Sequence, residues 1–452
     1  MTAARRPNIL VITCHDLGRF LGSYGIETVQ TPALDALAAD GVRFTAAFCT
    51  APQCSPSRAS LFTGRYPHSN GVLGLTHAEF AWDLGPDERH LGQVLREADY
   101  TTAMMGVHHE SHVGTPAKIA ARCGMDTIAL GGHGEAVSAA ALAWLGVVGG
   151  SEQPFYLQLG YHEPHRVGAT GREASDTLGF IGDYIAPDAS RGVTIPAYLR
   201  DTGSAREELA ELQGAVRALD TAVGKVLDGL RDLGLAEETI VLFTTDHGIA
   251  LPRAKCSLYD PGLETALLLR YPARGWQGGR EIVALTSNID LFPTLLDAVG
   301  LPVSARVQGR SLLAALDGQP FTPREAIFGE MTYHDYYDPR RCIRTARHKL
   351  IVNFTAAPAF MDPSQSWRRR TATVVPPAPA LAYHPLLELY DLAADPHEWQ
   401  NLADDPAHAE IRRDLLGQLQ RWMAVTADPL LVGAVTPPLH RQALAALAGA
   451  GR

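Results

Sequence analysis

Cys54-Ser55-Pro56-Ser57-Arg58 is the stretch of this sequence best suited to chemistry. A helix opening here sets Cys54 and Arg58 about one turn apart, so a nucleophile and a cation face one point. Pro56 suits the first turn, because its fixed φ is already helical and a first-turn N–H needs no partner. Ser55 or Ser57 is placed to cap. The free N–H groups and the dipole at that end favour an anion. Four further polar clusters each follow an apolar run: Cys14-His15-Asp16, Gly106 to His112, His162-Glu163-Pro164-His165-Arg166, and Asp246-His247-Gly248 with Lys255 shortly after. Polar residues just past parallel strands sit where open α/β sheets bind ligands. Histidine beside a carboxylate suits a transition metal, and an imidazole suits proton transfer near neutrality.

The string from Cys54 to Arg65 resembles the sulfatase signature, Cys-x-Pro-Ser-Arg followed by Leu-x-Thr-Gly-Arg. Within that family, His162 to Arg166 is similar to the His-Asp-Pro-His-Arg of the heparan N-sulfatase (N-sulfoglucosamine sulfohydrolase) type. The resemblance runs from residue 7 to about 300 and continues more weakly to about 402. It implies that a formylglycine-generating enzyme oxidises Cys54 to formylglycine after translation. The hydrate of that aldehyde carries two hydroxyls on one carbon, one to attack sulfur and one to expel sulfate. The resemblance also implies one divalent metal ion, with His15, Asp16, Cys54, Asp246 and His247 as ligands. Sulfatases commonly carry Asp-Asp where this chain has His15-Asp16. Calcium is the family's usual ion, and the imidazoles shift the expectation towards Mn2+ or Zn2+.

Other roles carry over position by position. Lys255 matches a family cation that touches the transferred group. Arg58 is expected to steady the hydrate or the metal-bound oxygens through its fork of donors. His109 matches the His of the family's Gly-Lys-x-His, with Val107 where the Lys stands. It is expected as a nucleophile or sulfate contact, while His108 and His112 stay open between a metal site and a hydrogen-bonded loop cluster. His162 is the expected general acid on the leaving group, and His165 and Arg166 the expected substrate contacts. The implied activity is hydrolysis of a sulfate ester or sulfamate in a small substrate, most simply a sulfated carbohydrate. The missing Lys at Val107 keeps open a phosphonate monoester or phosphodiester hydrolase of the same alkaline-phosphatase-like superfamily. A non-catalytic binding protein in which Cys54 stays a thiol is the alternative of a different class.

These residues need a scaffold that brings distant segments together. Asn8–Thr13, Thr101–Met105, Pro154–Gly160 and Thr239–Thr245 are short apolar runs of the kind that form buried parallel strands. Leu267–Tyr271 reads as another strand, and Val42–Thr50 as a strand or extended run. Helices are expected over 32–38, from Cys54, over 90–98, 136–145, 205–233 and 288–296, and the helical spacing of Leu209, Leu212, Val216 and Leu219 marks a core face. Segment 173–194, punctuated by Gly and Pro, reads as a loop or lid. Strands at 326–330, 341–354 and 388–392 with a helix over 408–425 suggest a small antiparallel subdomain, and 356–381 an exposed Pro-rich excursion. The expected fold is α/β, a large mostly parallel sheet with helices on both faces, with a catalytic domain over 1–325 and a C-terminal subdomain over 326–452.

Composition sets outer bounds. The chain has 452 residues, 46% of them hydrophobic and 19% charged, enough for a sizeable core. A net charge of -10 argues against nucleic acid as a partner. The six cysteines form no close CxxC pair. No run is long enough to span a bilayer, and the first apolar run reads as a core strand rather than a signal, so a cytoplasmic protein off the membrane is expected.

Overall fold

Every residue of Asn8–Cys14 is buried, and the computed structural model of the chain shows why: the strand runs through the middle of a sheet covered on both sides. The structure describes residues 6–77, 80–112, 114–166, 185–357 and 383–449. The strands are β1 (Asn8–Cys14), β2 (Val42–Phe44), β3 (Ala47–Phe48), β4 (Thr101–Gly106), β5 (Thr127–Leu130), β6 (Phe155–Gly160) and β7 (Thr239–Thr245). They continue with β8 (Leu267–Arg270), β9 (Arg280–Ile282), β10 (Thr286–Ser287), β11 (Ala326–Tyr333), β12 (Tyr337–Thr345), β13 (His348–Asn353) and β14 (Leu387–Asp391). Eight form one sheet in the order β5-β4-β6-β1-β7-β8-β2-β9. The run β5 to β7 is parallel throughout, whereas β8 lies antiparallel to both β7 and β2.

Alternation along β1 divides the core. Leu10, Ile12 and Cys14 face a cluster shared with α1 (Pro32–Asp40) and the helices Gly134–Val148 and Gly203–Asp232. Ile9 and Val11 face the other cluster, shared with α2 (Cys54–Thr63) and the helices Leu91–Glu97, Pro116–Cys123 and Leu291–Ala298. Both faces are apolar because both are covered, which is why the strand reads as an unbroken hydrophobic run. The architecture is the α/β one expected.

Local differences have local causes. Val42–Thr50 is not one strand: β2 joins the large sheet and β3 pairs with β10 in a separate ribbon. β8 gave no sequence sign of being antiparallel, since a strand's direction leaves no mark on its own composition. β4 and β6 both end in glycine because their ends nearly touch. A Cβ on Gly106, at φ +87°, would lie 2.0 Å from the Gly160 carbonyl oxygen.

β11 to β14 form an antiparallel meander, and the helix Ala409–Val425 packs on it through Leu415, Leu419 and Trp422. Its other side is continuous with the main body, where Phe48, Cys256 and Leu258 meet Ile327, Cys342 and Tyr390. Residues 173–184 of the expected lid and 358–381 of the Pro-rich excursion lie outside the described residues. Asp188, in the described part of the former, is held by Gln30 and Gln213. A further helix, Pro438–Gly449, follows in the tail. Among the described residues no helix is long and apolar enough to cross a membrane.

Candidate active site

The four strands that carry the polar clusters are neighbours, in the order β4-β6-β1-β7, and all run the same way. Their C-terminal ends therefore deliver His109, His162, His15-Asp16 and Asp246-His247 to one edge of the sheet. α2 brings Cys54 to the same place as the first residue of a wholly buried helix. Cys54 Sγ lies 3.4 Å from His247 Nε2 and 3.8 Å from Asp16 Oδ1.

The backbone turns sharply to achieve this. Asp16 sits in the left-handed region at φ 49°, and its N–H donates to Asp246 Oδ1 at 2.9 Å. Such a conformation costs a non-glycine residue roughly 1 kcal/mol and is typical of functional sites. The expected serine cap is not formed: Gln53 is the N-cap residue and makes no side-chain cap bond. Ser57 instead donates from Oγ to the Asp246 carbonyl at 2.5 Å. Asn288 secures Ser57 in turn, donating from Nδ2 to its carbonyl and hydroxyl and accepting from Thr50 N–H.

Asp16, Cys54, Asp246 and His247 offer donor atoms all within 4.8 Å of one another, and all four residues are buried. His247 Nδ1 is held by the Gly248 carbonyl at 3.0 Å, which leaves the Nε2 lone pair facing the carboxylates. This set fits a divalent cation: two buried carboxylates and an imidazole lone pair converge on one point beside Cys54. His15 comes close without joining it. Its Nδ1 is 3.3 Å from Asp246 Oδ2, neither ring nitrogen makes a hydrogen bond, and it groups with Asp16, Cys54 and His165.

The structure gives three of the expected cations defined partners. Arg58 does not extend past Cys54: its nitrogens go to Asp246 Oδ2 (3.2 Å), Thr13 Oγ1 (2.9 Å) and the Cys14 carbonyl (3.0 Å). It reaches the centre by bracing a carboxylate. Arg166, expected on the substrate, is buried in an ion pair with Glu208 and donates to the Ala250 carbonyl. Lys255 lies on Asp16, with Nζ 2.9 and 2.8 Å from its two oxygens.

Four imidazoles crowd together beside this set. The His15 ring centroid is 5.1 Å from that of His109, 5.3 Å from His165 and 5.9 Å from His162. His108 turns away to Ser111 and Cys123, and His112 Nδ1 meets the Thr76 carbonyl. Burial lowers the pKa of His15, His109, His162, His165 and His247, so these rings are neutral at neutral pH. Burial works against the Asp16 carboxylate too, but Lys255 holds its pKa well below the ordinary value. Asp16 in turn outweighs burial at Lys255 and keeps it charged. Burial pushes the Cys54 thiol up to about 12, a poor nucleophile as encoded.

Ser57 stood inside the signature string, but only its contact with a residue 189 positions away shows its use. Asn288 carried no sequence signal at all. Glu110 is a third such residue: fully buried, it accepts from His109 N–H at 2.8 Å and from Gln158 Nε2 at 2.5 Å, fixing the loop that bears His109.

The sulfatase family matches residues 7–301, and the family described as N-sulphoglucosamine sulphohydrolase, C-terminal, matches residues 253–362. Human N-sulphoglucosamine sulphohydrolase is 31% identical over 94% of this chain and 91% of its own length. An ulvan-active sulfatase of Formosa agariphila is 28% identical over 94% of this chain and 76% of its own length. Among solved structures, a protein in complex with its substrate D-glucosamine-2-N,6-O-disulfate superposes with a TM-score of 0.69 at 19% identity, covering 94% of this chain and 98% of that one. The phosphonate monoester hydrolase of Agrobacterium radiobacter gives 0.70 at 20% identity, covering 94% and 97%. The chain belongs to the sulfatase family, the sulfuric ester hydrolases.

Proposed function

We propose that the protein hydrolyses the sulfate ester or sulfamate of a small sulfated sugar, using a formylglycine made from Cys54 and one divalent metal ion. The observation that carries this is the convergence of Cys54 with Asp16, Asp246 and His247 at the start of a buried helix. The likeness to a human sulfamate hydrolase supports the choice of substrate class. Formylglycine would supply a hydrated aldehyde as nucleophile, and its maturation needs a formylglycine-generating enzyme. A divalent ion held by Asp16, Asp246, His247 and residue 54 would supply a Lewis acid that lowers the pKa of a hydroxyl.

The chain's own residues do the rest. Arg58, Ser57 and Asn288 hold Asp246 in place, from Nε to the carboxylate and from Oγ to the backbone. Lys255 keeps a positive charge beside Asp16, where nonbridging oxygens of an anion gain from it. His109 and His165 line the approach. His162, less deeply placed, delivers the proton that the leaving oxygen or nitrogen needs. The test is turnover of N- and O-sulfated monosaccharides by wild type and Cys54→Ala, with mass measurement of the Cys54 peptide. An alkylatable thiol in active wild type, or wild-type rates in the variant, would overturn the reading.

The Asp246-His247 pair and Val107 favour a second reading, a phosphonate monoester or phosphodiester hydrolase, consistent with the fold likeness above. Matched aryl sulfate and phosphodiester substrates separate the two by their relative kcat/KM.

A further inference from the structure

Well away from Cys54, the far end of α2 borders a cavity of about 320 Å³. α2 has ten residues, so Thr63 at this end lies roughly 13 Å from Cys54. Another wall is the helix Leu291–Ala298 with the loop that follows it. Gly64 ties that loop to α2, because its carbonyl accepts from Gln308 and Gly309 N–H at 2.9 and 3.1 Å. Val94, Ala98, Phe292, Leu296, Leu301 and Val307 supply the apolar lining.

The charged lining is clustered. Glu88, with a side chain only 4% exposed, lies between two guanidiniums: Arg65 Nε is 3.0 Å from its Oε2, and Arg306 Nη2 is 2.8 Å from its Oε1. A third guanidinium, that of Arg122, donates to the Glu88 and Gly85 carbonyls. The carboxylates facing these three cations are Glu88 and Asp87, and Asp87 is exposed, where water screens its charge. Arg89 and Glu97, both more than half exposed, pair with each other and cancel. Positive charge is thus in excess beside apolar walls. Arg65 registers it: burial and the Arg306 charge together outweigh Glu88 and lower its pKa. Arg306 is half exposed, so the cluster reaches solvent.

Sites for small organic molecules are built from apolar walls with a few placed polar groups, and their volumes begin at about 300 Å³. We propose that this cavity binds a small organic anion with an apolar body, of the size of an aryl-alkyl carboxylate, with its head group on Arg65 and Arg306. The acid gains charge-assisted hydrogen bonds that a neutral molecule of the same shape lacks. A sulfated sugar is a poor fit, since its hydroxyls would lose water against Phe292 and Leu296 without gaining partners. The ligand is therefore a different molecule from the substrate proposed above, and its binding does not depend on that reaction.

The test is calorimetric titration of the full-length protein with 4-phenylbutyrate and with its neutral isostere 4-phenylbutyramide. Wild type binds the acid about tenfold tighter than the amide. Arg306 is half exposed, so Arg306→Gln keeps the fold and removes that preference. Leu301→Trp and Val307→Phe each fill the cavity and lose both compounds, with their melting temperatures measured alongside. No binding of either compound at millimolar concentration overturns the site. Equal binding of acid and amide by wild type overturns its anionic class. A preference that survives Arg306→Gln overturns the position given to the head group. Acid binding that survives in both filled variants overturns the placement in this cavity.

Discussion

Arg58 Nε donates to Asp246 Oδ2 at 3.2 Å, and both groups are buried. The arginine of the signature helix thereby fixes a carboxylate that lies 188 residues further along the chain. Its other two nitrogens tie the end of β1 to the same helix. Removing one partner of a buried pair leaves the other charge uncompensated and costs roughly 3–5 kcal/mol. Arg58→Ala should therefore lower the melting temperature and reduce kcat/KM by at least about a hundredfold, given roughly 1.4 kcal/mol per decade. Arg58→Lys should rescue little, because one ammonium cannot replace a planar fork. Thermal unfolding and steady-state kinetics on purified variants check both points.

Cys54→Ala should abolish turnover with little change in stability, since the side chain contributes small volume to a polar centre. Cys54→Ser keeps one hydroxyl and loses the second, so it should release at most one equivalent of desulfated product per chain. A single-turnover assay against continuous turnover distinguishes the two. Sustained turnover in the serine variant would count against the proposed chemistry.

Burial lowers the pKa of His162 below that of an ordinary imidazole. A group that must carry its proton to act as an acid is active below its pKa. Hence kcat/KM on sugar sulfates should be highest on the acidic side and fall as pH rises through a value below that of an ordinary imidazole. His162→Asn should flatten that limb and slow sugar substrates far more than activated aryl sulfates, whose leaving groups need no proton. Equal losses on both substrate types would remove His162 from the acid role.

Ion removal should be felt in stability as well as rate. Asp16 and Asp246 converge in the interior, so a bound cation stabilises the folded state by mass action. Chelator treatment should lower the melting temperature by a few degrees and abolish turnover, with both restored by added divalent ion. Asp246→Asn should show the lower melting temperature without further response to chelator.

Away from the centre, Asp220 anchors the start of α1 by accepting from Ala33 and Leu34 N–H at 3.1 and 2.8 Å. Burial nonetheless pushes its carboxyl up to about 6. Because the folded pKa is raised, its contribution is fully present below about 4 and is lost as pH rises through about 6, on the order of 3 kcal/mol. Asp220→Asn should remove this dependence, so its melting temperature relative to wild type should rise between pH about 4 and about 7. A difference that stays constant across that window would show that Asp220 does not titrate there.

The sequence by itself determined the elements and the polar clusters they carry. β1, β4, β6 and β7 announced themselves as apolar runs because strands covered on both faces need apolar residues at every position. The string from Cys54 to Arg65 showed its helix through Pro56 and its family through its resemblance to the sulfatase signature. Such signals are local, and local spacing survives in one dimension.

Only the tertiary structure decided how those residues are shared out. The order β4-β6-β1-β7 places four separate segments side by side, and no single strand's composition encodes its neighbour. Arg58 and Arg166 look alike in the sequence as cations near a site, yet one braces Asp246 and the other is paired with Glu208. The Ser57–Asn288 contact was silent for the same reason: a hydrogen bond across 231 residues depends on where a helix and a distant turn meet. His165 and Lys255 meet over Asp16 because the end of β6 and the loop after β7 fold over the same carboxylate, a closeness that belongs to the packed molecule alone.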